Sequence, residues 1–311
     1  AEVLRLWVAG EDYREDIRIS EEILKRLSEA YRRVRNTFRY ILGNLYDFDP
    51  DRDAVPYDGL EELDRLTLHR LTRLTEKVLA SYRDFEFHAI YHSVHNFCTV
   101  DLSAFYLDIL KDRLYTCGAA SRERRAAQTT IYHVLNSLVR LTAPVLVFTA
   151  EEAWSFMPGR KEESVHLASM PEVKQEWLDD GIEKKWGELM AIKAEISKAL
   201  EGARKEKIIG HPLDAMVTVW PAEKDEALLK QEEEALEEVL IISKLAIAGA
   251  GDARDGAPGA YRHDSGEMPG LTVRVEKAPG GKCERCWHFS PAVGQNPAHP
   301  TLCKRCAEAL G

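Results

Sequence analysis

Apolar residues recur every three to four positions along the first half of the chain, between residues 20 and 168. The run at its start consists of Ile23, Leu27, Ala30, Val34, Phe38 and Ile41. This spacing lines apolar side chains along one face of an α-helix, which turns once in about 3.6 residues. Segments with the same period begin near residue 60, span 84–115 and span 131–144, with short links between them. The pattern predicts an antiparallel bundle of four or five long helices.

Polar side chains with capping chemistry predict where several of these helices begin. Ser20 precedes the first helix and Asp58 the second, and short oxygen-bearing side chains accept hydrogen bonds from the N–H groups of a first helical turn. Thr149, with Glu152 three positions later, has the spacing of a capping box. A short helix is therefore predicted to start at Thr149. We assign Glu151 and Glu152 to structure rather than to acid–base catalysis, because adjacent helical residues point in different directions.

The second half of the chain has a different pattern. A charged helix is predicted over residues 181–207 and a strongly acidic helix over 225–239. Short alternating runs at 215–220 and 271–275 predict strands of a small mixed sheet, which the acidic helix covers. Residues 249–270 are rich in glycine, proline and aspartate and have little to bury, so this stretch is expected to be mobile.

Four of the six cysteines form two Cys-x-x-Cys pairs near the end of the chain, with sixteen residues between the pairs. They are Cys283, Cys286, Cys303 and Cys306. Each pair turns two thiolates toward one centre, and two pairs complete the tetrahedral sulfur set of a structural zinc site. The alternative, two disulfides or free thiols, does not suit a reducing compartment. The spacing predicts one structural Zn²⁺ with no open position for catalysis, while Cys98 and Cys117 are expected to be small buried groups.

The overall charge restricts where nucleic acid could bind. The 311 residues include 42 lysines and arginines against 52 aspartates and glutamates, a net charge of -10. This balance attracts no phosphate backbone globally, so any nucleic-acid surface must be local. No apolar segment approaches the roughly 20 residues that span a bilayer, and the first residues do not have the pattern of a signal peptide. We expect a cytoplasmic protein without membrane contact.

Two local groups in the predicted bundle are candidates for RNA contact. The first lies on one face of the first helix and consists of Arg32, Arg35, Asn36 and Arg39. The second lies in a turn between helices and consists of Arg122, Arg124 and Arg125. Either group could follow a phosphate backbone or simply be a solvated surface. His88, His92 and His95 also share a helical face, but their aromatic neighbours favour packing over metal binding.

A further set of candidates surrounds the cysteines. It consists of Lys282, Arg285, Trp287, Lys304 and Arg305. Arginine and lysine beside an aromatic ring suit an unpaired base with phosphates around it. The alternative for Trp287 is packing over the metal site.

These patterns predict five successive parts and a mainly α fold class. Residues 1–19 form a connecting segment, and residues 20–170 form the helical bundle. A linker with a long helix spans 171–210, a small α+β domain spans 211–278, and a tetracysteine zinc-finger domain spans 279–311. An antiparallel helix bundle is thus followed by a small α+β junction domain and a C-terminal zinc-binding module.

Seven stretches of the sequence form recognisable motifs: Leu4–Gly10, Asp12–Ser20, Arg35–Arg39, Gly43–Phe48, Phe97–Tyr106, Lys111–Tyr115 and Pro144–Trp154. They resemble the class I aminoacyl-tRNA synthetase family, and within it the isoleucyl members. The resemblance is weakest over 222–270 and returns at the cysteines. Valyl and leucyl relatives share the bundle pattern, and the terminal zinc module favours the isoleucyl members. Lys205, Lys207 and His211 resemble a junction segment that meets tRNA in these enzymes.

The resemblance implies the tRNA-binding part of an isoleucine–tRNA ligase, which charges tRNA(Ile) with isoleucine. The bundle would bind the anticodon arm, and residues 1–19 would end a connection from the catalytic domain. ATP and Mg²⁺ would bind only in that catalytic domain, because the signature sequences that hold ATP are absent here. The chain alone is expected to contain no catalytic residue, to be inactive, and to bind tRNA rather than DNA as a monomer.

Two other interpretations are open to the sequence. A DNA glycosylase can end in a similar finger, but it requires an amino-terminal proline and a β-rich lobe, whereas this chain begins with Ala1 and Glu2 and continues into helices. A free-standing, zinc-containing helical nucleic-acid-binding or scaffold protein is the second alternative. Residues 3–20 argue against it, because they resemble the tail of a preceding domain.

Overall fold

The computed structural model describes residues 1–159, 161–249 and 259–310 and divides the chain into two compact units, Ala1–Ile182 and Glu183–Gly311. The first unit is helical, and the second combines helices with a small sheet and the cysteine cluster. The predicted fold class, mainly α with a small α+β part and a zinc module, is confirmed.

The first unit is built from eight α-helices and one π-helix in the described part of the chain. The α-helices are α1 (Glu2–Gly10), α2 (Glu21–Asn44), α3 (Pro50–Asp53), α4 (Glu62–Arg83), α5 (Phe87–Asn96), α6 (Leu107–Thr116), α7 (Arg122–Thr142) and α8 (Val147–Phe156). The π-helix (Phe97–Tyr106) joins α5 to α6. The apolar stripes predicted from the sequence are buried, as Phe38, Ile41, Leu66 and Leu135 show.

A buried ion pair lies inside the bundle. The Arg113 guanidinium donates to both carboxylate oxygens of Asp64 at 2.9 and 2.7 Å, and neither side chain is appreciably exposed. Tyr106 donates its hydroxyl hydrogen to the same carboxylate at 2.6 Å. Burial raises the pKa of Tyr106 well above its ordinary value, so the hydroxyl remains a donor. The Asp64 charge therefore has fixed partners on α6 and the π-helix, which satisfy it away from water.

Two of the predicted helix starts are wrong, and one is confirmed. The Ser20 hydroxyl accepts a hydrogen bond from the N–H of Ile23 at 3.2 Å, as expected for an N-cap. By contrast, α4 begins at Glu62 without a side-chain cap, and Asp58 lies in a short 3₁₀ turn. The capping box at Thr149 is also wrong, because α8 begins at Val147.

The N-terminus of α8 is capped by a residue that is distant in the sequence. The Glu2 carboxylate on α1 accepts hydrogen bonds from the N–H groups of Phe148 and Thr149 at 2.7 and 3.0 Å. A carboxylate at this position satisfies N–H groups that have no partner inside the helix and interacts favourably with the helix dipole. The Thr149 hydroxyl bonds instead to the Tyr31 hydroxyl at 2.9 Å. The first turn of α8 is thus held by α1.

The second unit contains a four-stranded sheet in the order β2-β1-β4-β3. The strands are β1 (Ala215–Trp220), β2 (Lys244–Ile247), β3 (Tyr261–Asp264) and β4 (Thr272–Lys277). β1 pairs in parallel with β2 and antiparallel with β4, which pairs antiparallel with β3. The long helix α9 (Asp180–Lys205) leads into this unit. The predicted acidic helix is two helices, α10 (Glu223–Gln231) and α11 (Glu233–Leu240), with a break at Glu232.

Strand β3 lies within the stretch 249–270, which was expected to be mobile. That expectation is wrong for residues 261–264. Residues 250–258 of the stretch lie outside the described part of the chain. Contacts with α9 account for the strand. The Tyr261 ring occupies the space where a Cβ on Gly202 would lie, since such an atom would come within 2.3 Å of the ring. His263 Nε2 lies 3.1 Å from the buried Glu195 carboxylate. Side chains separated by about sixty residues therefore order this strand.

Candidate metal centre and nucleic-acid interface

The four cysteines predicted as zinc ligands converge on one point. Their sulfur atoms all lie within 4.8 Å of one another, and all four residues are buried. Cys286 Sγ and Cys303 Sγ are 3.7 Å apart, close to the value of about 3.8 Å that a tetrahedron with Zn–S bonds of about 2.3 Å requires. The cysteines are not joined as disulfides. The residues present fit a tetrahedral zinc ion, and among the described residues they are the only converging group of potential ligands.

The protonation of the sulfurs also suits a bound cation. Burial alone would raise the pKa of Cys283, but backbone N–H groups of Cys286, Cys303 and Arg285 bring it down to about 6. Burial raises the pKa of Cys303 and of Cys306, and the neighbouring Cys286 raises that of Cys306 further. Four adjacent thiolates therefore require a positive charge between them, which a divalent metal supplies.

The cysteine module is attached to the small sheet by hydrogen bonds. It contains the short strands β5 (Gly281–Lys282) and β6 (Phe289–Ser290) and the helix α12 (Lys304–Glu308). The Ser243 hydroxyl accepts a hydrogen bond from the Phe289 N–H at 2.7 Å. Just before the module, the Ala278 N–H donates to the Asp214 carbonyl at 2.8 Å and fixes the residue that follows β4. Gly280 has a φ of 93° and approaches the backbone of Ser290 too closely for any Cβ.

Trp287 follows the first cysteine pair and points its ring to solvent. Its side chain is 60% exposed, so packing over the metal does not account for it. Its φ of 67° lies in the left-handed region, where a bulky side chain is strained. The turn requires this conformation, since the Trp287 N–H donates to the Cys283 carbonyl at 2.9 Å and the Cys283 N–H donates to the His288 carbonyl at 2.9 Å. A tryptophan where glycine would fit best suggests a role for its ring.

The basic candidates near the metal centre differ in exposure. Lys304 is 80% exposed and Lys282 is 49% exposed, with carboxylates of Glu308 and Asp214 at 3.9 Å from their amines. Arg305 is exposed and Arg285 is half-buried.

The candidates at the end of α9 are exposed as well. Lys205 is 74% exposed, and its amine is 4.0 Å from Glu201. Lys207 lies just past the helix with a φ of 60°.

The candidates on α2 remain at the surface. Arg32, Asn36 and Arg39 are exposed, and Arg35 is half-buried with its guanidinium 3.4 Å from Glu152. Arg32 pairs with Glu29 one turn away. The Arg39 side chain makes no hydrogen bond or ion pair with any residue that the structure describes. These side chains are therefore available to a partner at the cost of surface ion pairs only, which contribute little stability.

The candidates Arg122, Arg124 and Arg125 lie in the first turn of α7 and not in a turn between helices, so that expectation is wrong. They divide into one surface residue and two structural ones. Arg122 is exposed and donates to the Gly59 carbonyl at 3.2 Å. Arg124 is 5% exposed and donates to both oxygens of the Asp47 carboxylate at 2.6 and 2.9 Å. Arg125 is largely buried and donates to the Asp47 carbonyl at 2.9 Å. We correct the expectation for Arg124 and Arg125, because their charges are used within the bundle.

Two surface residues near the end of α2 belong to the matching stretch Gly43–Phe48 but were not among the candidates for RNA contact. Gly43 and Tyr46 are both exposed. The available signal was a glycine inside a helical repeat, which lowers helix stability without an evident reason. Tyr46 carried no such signal, because an isolated tyrosine in a turn is as often buried as exposed.

The other side chains considered from the sequence differ in burial: His88 and His95 are half-buried, whereas His92 is exposed. His88, His92 and His95 do not converge on a common point within the described residues, and burial lowers the pKa of His95. The Glu151 carboxylate accepts hydrogen bonds from the Ser164 hydroxyl and the Val165 N–H. No helix in the described ranges is long and apolar enough to cross a membrane.

Known families match the chain in two places. Residues 64–219 match the anticodon-binding domain of tRNA ligase, and residues 280–309 match the zinc finger found in FPG and IleRS. The second match contains all four cysteines, which supports the zinc site.

Similar proteins match along the whole chain. It is 53% identical to the isoleucine–tRNA ligase of Geobacter sulfurreducens and 52% identical to that of Syntrophotalea carbinolica, in each case over 100% of this chain and 33% of the relative. The chain thus spans about a third of the length of these curated relatives. A solved ternary complex of the Agrobacterium radiobacter K84 LeuRS with tRNA and LeuAMS matches 57% of this chain and 20% of its own, at 18% identity and a TM-score of 0.42. Because the anticodon-binding model covers half of the chain, this protein belongs to the tRNA ligase family that carries this domain.

Proposed function

We propose that this chain is the tRNA-binding C-terminal part of an isoleucine–tRNA ligase and holds the anticodon arm of tRNA(Ile). The observation that carries the proposal is identity at about half of all positions, along the whole chain, to isoleucine–tRNA ligases. The intact enzyme would join isoleucine to tRNA with ATP and Mg²⁺, which would bind in the catalytic part of the enzyme. Within that scheme the chain acts in the cytoplasm as part of a monomer.

Basic residues at the surface would contact the tRNA backbone. On the bundle these are Arg32, Arg35 and Arg39 of α2, with Asn36 between them, and Arg122 at the start of α7. In the second unit they are Lys205, Lys207, Lys282, Arg285, Lys304 and Arg305. A net charge of -10 makes such local groups necessary for binding a polyanion. Contacts of this kind position an RNA, whereas stacking and base-edge contacts select it.

Trp287 would supply a stacking contact. Its ring is exposed and its backbone is held by the cysteine turn, so a base can lie on a surface that is already oriented. Zinc would act through structure alone, since four cysteines fill its coordination and the ion fixes the turn that presents the ring.

A free-standing nucleic-acid-binding protein is the less favoured alternative. Such a protein need not match isoleucine–tRNA ligases along its whole length, including residues 1–19, yet this chain does.

The Trp287 ring can be tested with two replacements. Trp287→Leu removes the aromatic face and is expected to weaken binding of tRNA(Ile) by about five- to tenfold, because stacking on one base contributes about 1–3 kcal/mol. Trp287→Phe retains an aromatic face and should keep most of the affinity. The dissociation constant is measured by titration, and the zinc content of each variant serves as the folding control. Wild-type affinity of a zinc-loaded Trp287→Leu variant would show that the ring does not contact the RNA.

A further inference from the structure

The solvent-facing side of α2 forms a stripe that ends at a glycine. The stripe consists of Lys25, Arg32, Asn36, Arg39 and Gly43, all exposed. Their spacing of seven, four, three and four residues keeps them on one side of the helix. Glu22 and Glu29 are acidic residues on this side; Glu22 lies in the first turn of α2, and Glu29 pairs with Arg32. The stripe therefore presents positive charge along the helix and then a position without a side chain.

Nothing within the described protein requires glycine at position 43. A Cβ on Gly43 would meet no atom within 4 Å, so no neighbouring element needs the space. Its φ is not positive, so the backbone conformation suits any residue. Glycine is nevertheless among the poorest helix formers, and alanine would stabilise the same turn. A glycine that costs helix stability and meets no neighbour leaves room for a molecule that approaches the helix backbone from outside.

An aromatic ring lies three residues further on. Tyr46 is 80% exposed. Its ring centroid is 5.9 Å from the Arg124 guanidinium carbon, within range of a cation–π contact. Arg124 is itself fixed by Asp47 and by the carbonyls of Leu114 and Ala119 at 3.2 and 3.0 Å. Arg124 thus supports the ring without contacting a partner, and the ring offers an exposed face.

We propose that Gly43 and Tyr46 form a seat for one unpaired nucleotide of an RNA loop. The sugar and phosphate lie against the bare helix at Gly43, the Arg39 guanidinium contacts the phosphate, and the base stacks on Tyr46. Arg39 is one helical turn before Gly43, and no described residue competes for its charge. A row of positive charge ending at an exposed aromatic ring suits single-stranded nucleic acid. The proposal rests on the proposed function and adds a contact distinct from Trp287.

Filling the space at Gly43 tests the close approach. Gly43→Ala is expected to raise the unfolding temperature, because alanine favours the helix, and yet to weaken binding of a tRNA(Ile) transcript. Gly43→Met, which is longer and still a good helix former, should weaken binding further, by about tenfold or more. Opposite signs for folding and binding would exclude general damage as the cause.

The matched control is Gly187→Ala in α9. Gly187 is also an exposed helical glycine with nothing within 4 Å of a Cβ, but it lies outside the stripe. This variant should gain stability similarly and bind the tRNA transcript with unchanged affinity. If the wild-type chain binds tRNA and Gly43→Met binds it with the same affinity, the nucleotide site at Gly43 is wrong while the proposed function still stands. A wild-type chain that binds no tRNA would overturn the proposed function and the seat together.

Tyr46 provides the second arm of the test. Tyr46→Leu should weaken binding by about fivefold or more, whereas Tyr46→Phe should retain it. If one nucleotide contacts both residues, the double variant Gly43→Met with Tyr46→Leu should weaken tRNA binding by less than the product of the two single fold-changes. Losses that multiply would overturn a shared seat. If the variants bind tRNA with wild-type affinity but lose the binding of a protein, the surface belongs to a protein partner instead.

Discussion

Removing the metal from the tetracysteine centre is expected to unfold residues 281–310 while the helical bundle remains folded. Besides the cysteines, the buried cluster of this module consists of Leu302, with Val293 packed against it. So few apolar side chains cannot offset the conformational entropy of about thirty residues, which is about 1–2 kcal/mol per residue for the backbone alone. Zinc binding at such sites contributes about 10–16 kcal/mol, so the metal supplies the missing stabilisation.

Hydrogen exchange after chelation measures this directly. Amides of residues 281–310 should lose protection, while amides of α2, α4 and α7 keep it. Cys306→Ser should have the same effect, because Cys306 is a fully buried member of the set. Cys117→Ser is the matched control, since Cys117 lies outside the cluster and should leave zinc content and exchange unchanged. Protected amides in a metal-free finger would contradict this explanation of its stability.

The second large effect is expected at the buried ion pair of the bundle. Arg113→Met leaves the Asp64 carboxylate without its main partner at a position with no exposure. The expected loss in the free energy of unfolding is about 3–5 kcal/mol, as for other buried pairs broken on one side. Urea denaturation of the bundle measures it.

Two further variants distinguish the effect of breaking the buried ion pair from the effect of removing any arginine side chain. Arg73→Met removes an arginine whose partner Asp180, at 2.8 Å, is largely exposed, and it should leave the free energy of unfolding nearly unchanged, because water screens such a pair. Asp64→Leu combined with Arg113→Met removes both charges and should recover part of the stability, although Tyr106 then loses its acceptor. Equal losses for Arg113→Met and Arg73→Met would show that the buried pair has no special role.

Local patterns predicted the features that depend on neighbours in the sequence. The Ser20 cap, the strand at 215–220 and the apolar stripe of α2 each follow from residues a few positions apart. The zinc ligands belong to the same class, because two residues between cysteines already determine the turn that points both sulfurs to one centre.

The errors come from partners that are distant in the sequence. The cap of α8 is Glu2, 147 residues before Thr149, so no local capping pattern could show it. Strand β3 depends on Gly202 and Glu195 of α9, which compensate for its own weak strand signal.

The arginines in the first turn of α7 are a third case of the same kind. Arg124 and Arg122 are alike in sequence, but only Arg124 meets Asp47, 77 residues away, and becomes buried. A cluster of arginines therefore cannot be assigned to RNA contact from sequence alone, because a carboxylate distant in the sequence can pair with one of them inside the fold.

A paired titration of the zinc-loaded chain tests whether this chain reads the anticodon. The isoleucine tRNA and the valine tRNA would be compared at about 0.1 M salt, where non-specific phosphate contacts are partly screened. We expect tighter binding of the isoleucine tRNA, with the preference reduced after zinc is removed. Equal binding of the two tRNAs, or no binding above the non-specific level, would contradict an anticodon-reading role for this chain.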